Sequence, residues 1–107
     1  MSDLDFTICC SVTFFSKKRS TPPNLNNGKY CPHLVVKGSE QLLGVNFIDG
    51  EDVIFDKSIR ANALPVDEDI DYSALQVGSE FLILEGSTIV GERLVKEIFQ
   101  HKLHGKK

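Results

Sequence analysis

"FLILEGSTIVGERLV", residues Phe81 to Val95, reads as two strands joined by a short turn at Gly86, Ser87 and Thr88. Phe81 and Ile83 fall on one face of the first strand, and Gly86 suits a turn that needs positive φ. Gly91 lies inside the returning strand, where a missing side chain marks a bulge or the close approach of another backbone. The stretch is therefore a hairpin, Phe81 to Glu85 against Ile89 to Phe99.

Working outward, the rest of the chain repeats this kind of piece. From Leu4 to Phe14 the even positions are Leu, Phe, Ile, Cys, Val, Phe, and the odd ones between them are Asp, Thr, Cys, Ser, Thr. Strict alternation of that length predicts a long half-buried strand. Further strands are expected at Tyr30 to Val36, Gln41 to Ile48 and Ser58 to Leu64. Asp49 and Gly50 form an Asp-Gly pair, which predicts a tight hairpin turn with Asp52 to Phe55 pairing back as another strand. The acidic run "VDEDIDYSALQVG", Val66 to Gly78, is expected to hold one helical turn. Several short strands with turn signals between them predict an all-β fold: one closed antiparallel barrel of about six strands with Greek-key-like connections. Residues 1–100 make the barrel domain, and 101–107 a basic, frayed tail carrying His101, His104 and the lysines Lys102, Lys106 and Lys107.

Composition sets the class. At 107 residues, with 41% hydrophobic and 25% charged residues, the chain is long enough for its own core. A formal net charge of -3 gives no global field for nucleic acid or an acidic membrane, so any such contact needs a local patch. No apolar run approaches the roughly 18 to 20 residues of a spanning helix. The opening "MSDLDFTICC" is acidic where a signal peptide is basic, and the three cysteines are an odd count, so a reducing cytoplasm is expected. Cys9 and Cys10, adjacent in a strand, should face opposite ways as packing thiols.

The stretch "SKKRSTPPNLNNGK", Ser16 to Lys29, has no periodicity and is a long exposed loop, a kind of segment that often carries function. Within it "RSTP", Arg19 to Pro22, resembles an Arg-His-Thr-Pro motif, and "GKYCP", Gly28 to Pro32, resembles Gly-Tyr-Arg-Pro. Together with Phe81, Ile83, Glu85, Gly86, Val90, Gly91 and Val95 of the hairpin, these blocks resemble, in order, the C-terminal β-barrel domain of elongation factor Tu and related translational GTPases. The resemblance spans nearly the whole chain and implies that domain's barrel. In that family this face lies near the acceptor and T-stem backbone of aminoacyl-tRNA. Here Cys31 and Leu84 stand where the family has arginines, and Val90-Gly91-Glu92-Arg93 replaces Val-Gly-Ala-Gly.

No GxxxxGK[ST] loop occurs, so nothing cradles a nucleotide's phosphates, and no His/Cys cluster has zinc spacing. No catalytic residue, cofactor or metal is expected. The reading that follows is a non-catalytic module that contacts a protein partner through the long loop and the closing hairpin. A second reading is an RNA-binding module that meets a tRNA-like backbone, and a third is a small enzyme built on a β-barrel. Candidate contact residues for partner or RNA are Lys17, Lys18, Arg19, Thr21, Tyr30 and Arg93.

Overall fold

The computed structural model describes residues 6–101, and within them six strands: β1 (Phe6–Phe14), β2 (His33–Val36), β3 (Leu43–Gly50), β4 (Ser58–Pro65), β5 (Glu80–Glu85) and β6 (Thr88–Gln100). They close a barrel in the order β1-β4-β3-β2-β5-β6, each pair antiparallel. Strands β2, β3 and β4 follow one another, and β1 returns beside β4, which is Greek-key connectivity. The fold is the all-β closed antiparallel barrel that the alternation and turn signals predict. Leu4 and Asp5 of the expected first strand, and residues 102–107 of the expected tail, lie outside the described residues. His101 is exposed, and its ring shares a 2.6 Å hydrogen bond with Thr7 Oγ1.

Alternation along β1 decides what is inside. Phe6, Ile8, Cys10, Val12 and Phe14 are buried, and the residues between them are half-buried on the outer wall, Cys9 among them. They meet Leu34, Val45, Phe47, Ala61, Ala63, Phe81, Ile83 and Val95 in a single core. Three loop side chains add to it: Leu25 beside Gly50, Leu75, and Tyr72, whose ring meets Phe6 edge-on at 6.2 Å. The Tyr72 hydroxyl donates to the Gly44 carbonyl (2.6 Å) and accepts from the Val66 and Asp67 amides, so its buried oxygen is satisfied.

The closing hairpin turns in two residues, Gly86 and Ser87, because Glu85 pairs with Thr88. Gly86 alone takes positive φ (61°), the glycine-first arrangement of a type II′ turn. Register shifts where β6 meets β5 at Ile83/Leu84 and where it meets β1 at Cys9/Cys10. These bulges bend β6, the longest strand, around the wall.

Four expectations are corrected. Asp49 and Gly50 do not turn: β3 runs through them, pairing Asp49 with Asn62 and Gly50 with Ala61. Gly50 is needed for space, since a Cβ there would lie 3.0 Å from both Ala61 and Leu25, and the Asn26 amide clamps its peptide in both directions. Asp52 to Phe55 is accordingly no strand; Val53 and Phe55 pack on the core from a loop that turns back at Asp56 (φ 67°). The second and third strands begin later than expected, at His33 and Leu43, although Tyr30 and Pro32 still accept the Phe47 and Val45 amides. Val66 to Gly78 has turns and no helix: the Asp67 and Asp71 carboxylates accept from the Asp69 and Ser73 amides, the local bonds by which aspartate competes with a helix. The Ser73 amide bond holds the Asp71 carboxyl below its ordinary range.

Candidate functional site

The long loop is pinned by its own polar side chains. It leaves β1 with the Phe15 amide donating to the Val90 carbonyl, and the Ser16 amide donates to the Asp56 carboxylate. Asn24 and Asn27 accept from the Asn26 and Lys29 amides, two Asx turns that fold the segment back on itself. Its one large apolar side chain, Leu25, is buried, a contribution of about 1.5 to 3 kcal/mol.

The centre of the arrangement is Glu85, the last residue of β5. Its Oε2 accepts from Arg19 Nε at 2.7 Å and from the Tyr30 hydroxyl at 2.6 Å. Arg19 also lies over the Tyr30 ring, 5.5 Å from its centroid, and donates through Nη1 to the Thr21 carbonyl at 2.6 Å. Tyr30 in turn stacks on Phe47 (5.8 Å) and meets Phe14 edge-on (5.9 Å). One carboxylate thus ties the start of the loop, its end and the closing hairpin to the core. The side chains of Arg19 and Glu85 are 23% and 32% exposed, so solvent screens this pair less than a pair on the open surface.

Of the expected contact residues, the structure brings Arg19, Thr21 and Tyr30 together at this clasp. Lys17 and Lys18 are exposed on the same loop, and Lys18 lines a groove of about 220 Å³ with Arg19, Ser20, Thr21 and Glu85. Arg93 does not join them. It is exposed on β6 in a separate groove with Lys37, Glu80 and Glu92, where Lys37 Nζ bridges the two carboxylates at 3.2 and 3.4 Å. The sequence reading placed Glu85 in the fold and missed it as the hub. The signal was present in outline, since Arg19 and Tyr30 bracket the loop, but their convergence on Glu85 depends on β1 and β5 both flanking β6. A larger open groove, about 460 Å³, also escaped it: Cys9, Asn26, Asp49, Arg60, Asn62 and a half-exposed Phe99 are among its lining residues.

Two acids are held protonated. Burial, the hydrogen bond donated to Glu85 and that carboxylate's charge, in that order, push the Tyr30 phenol well above its ordinary range, with Arg19 opposing. Burial, aided by Cys9, pushes the Cys10 thiol up to about 12. Unfolded, these groups ionise near about 10 and 8.5, so above those values the unfolded chain binds fewer protons than the folded one. Stability is therefore complete at neutral pH and falls as pH rises through about 9 and above. Urea midpoints from about pH 7 to 11 should fall, with the upper limb flattened in Tyr30→Phe; midpoints that stay level would refute it.

No protein-family model matches this chain, and none of the curated proteins does.

Proposed function

We propose that this chain is a non-catalytic binding module, a barrel of the elongation factor Tu C-terminal type, that contacts a protein partner through the Ser16 to Lys29 loop and the closing hairpin. The observation that carries the reading is the Glu85 clasp, which joins loop and hairpin into one presented surface. Inward-facing Phe81, Ile83, Val90 and Val95, the Gly86 turn and the close approach at Gly91 support the resemblance. The clasp also favours protein over RNA. Arg19, the strongest phosphate binder of the loop, is engaged by Glu85, and a singly charged phosphodiester of RNA offers it no more charge than that carboxylate does, which leaves Lys17 and Lys18 on an acidic chain.

The test is site-specific photo-crosslinking in cell extract, with a photoreactive phenylalanine analogue replacing Lys18 or, as a control on the outer wall, Lys96. A discrete adduct at position 18 alone, resistant to nuclease and weakened by Glu85→Ala, is the expected result. An adduct destroyed by nuclease would turn the reading to RNA, and no adduct at position 18 would remove it.

A further inference from the structure

Lys17, Lys18 and Arg19 stand immediately before two hydroxyl residues, Ser20 and Thr21, and Pro22 follows. Ser20 and Thr21 are exposed, and among the described residues neither hydroxyl has a partner within the chain, whereas Ser11 bonds Ser58 and Ser79 bonds the Ala74 carbonyl. The groove beside Ser20 offers two cations, Lys18 and Arg19, and one carboxylate, Glu85. A second anion placed there competes with Glu85 for Arg19.

We propose that Ser20 is a phosphorylation site, and that its phosphate draws Arg19 from Glu85 and so frees the loop from the closing hairpin. The reaction needs a protein kinase and a nucleoside triphosphate. The bond from the γ-phosphorus to its bridging oxygen breaks, the bond from Ser20 Oγ to phosphorus forms, the hydroxyl proton passes to the kinase's base, and the diphosphate leaves. Ser20 is the acceptor because cations fill the three positions before it, the pattern that an acidic kinase cleft reads on an exposed loop. The guanidinium is already at hand, since Arg19 Nη1 bonds the carbonyl of Thr21, one residue on.

The exchange is favourable on two counts. A phosphoserine carries about -1.5 to -2 charge and three strong acceptor oxygens, against one charge on a carboxylate. Glu85 is not stranded by the loss, because the Tyr30 hydroxyl still donates to it. The consequence of the switch rests on the binding reading above, but its test needs no partner and so fails or succeeds separately.

The full chain carrying phosphoserine in place of Ser20 is compared with the unmodified chain by NMR. The phosphate should complete its ionisation below the ~6 of a free phosphoserine, and the Arg19 Nε–H signal should shift; the lowered ionisation of the phosphate should be lost with Arg19→Ala. A phosphate that titrates like a free one, beside an unmoved Arg19 signal, overturns the switch. Separately, the unmodified chain is treated with ATP and a purified kinase that prefers basic residues before its acceptor. One phosphate on Ser20, lost in Ser20→Ala and in the double variant Lys17→Ala, Lys18→Ala, is expected; a phosphate on Thr21 instead, or none, overturns the site.

Discussion

Replacing Gly91 with alanine should destabilise the protein by about 3 kcal/mol or more, at the upper end of overpacking effects. Gly91 pairs with Phe14 on one side and Ile83 on the other, where β6 passes between β1 and β5. Its φ is not in the left-handed region, so its use is space and not flexibility. An added Cβ would lie 2.5 Å from the Thr13 carbonyl oxygen and 3.2 Å from Ile83 Cδ1. The first of these is backbone in a ladder and cannot rotate aside, so β6 must move off β1 and strain the seam that closes the barrel. Gly44→Ala is the control, because its nearest neighbour is a methyl group of Val66 at 3.3 Å, on a side chain that is half-exposed and has solvent to move into. Urea denaturation of the two variants should separate them by about 2 kcal/mol or more. Equal losses would mean that the seam adapts and that the close approach has no energetic weight.

Phe47→Ala should be as damaging and should reach further. The side chain is fully buried, and truncating such a phenylalanine typically costs about 3 to 5 kcal/mol, a large part of the roughly 5 to 15 kcal/mol that holds a domain folded. Its ring is also the platform on which Tyr30 stacks. Without it, the Tyr30 ring can sink toward the cavity, and the hydroxyl leaves Glu85. The variant should therefore lose stability and loosen the loop together, even though Phe47 touches no solvent. With two tyrosines and no tryptophan in the chain, quenching of tyrosine fluorescence reports the second effect, and urea denaturation the first. A loss below about 1.5 kcal/mol would show that the core refills the space, and unchanged quenching would uncouple Phe47 from the clasp.

The parts of this molecule that obey a period could be read from the chain. β1 was legible because five alternations leave one choice of inner face, and the closing hairpin because Gly86 and Gly91 each answer a local geometric demand. Asp49-Gly50 misled for the opposite reason. The pair has the chemistry of a turn, but its glycine is there for a contact with Ala61 and Leu25, residues distant in sequence. Asp56, which does turn the chain, is a non-glycine residue at φ 67° and carries no comparable signal. The site was half legible: Arg19, Thr21 and Tyr30 do gather, whereas Arg93 lies elsewhere and the carboxylate that gathers them was counted among the residues of the fold.

The seam between β1 and β6 has a consequence for how the chain reaches this shape. The first and last strands of the barrel are partners over nearly their whole lengths, from Phe6 opposite Gln100 to Phe14 opposite Gly91. During synthesis β2, β3 and β4 can pair as they emerge, but β1 keeps one flank bare until the end of β6 has left the ribosome. Closure is thus a late event that brings together segments far apart in sequence, the kind of contact that slows folding. Until then, β1 offers an open strand edge to its surroundings. Mispairing at that edge is consequently a hazard for the whole interval before β6 docks, and a chaperone that shields one strand, β1, would cover it.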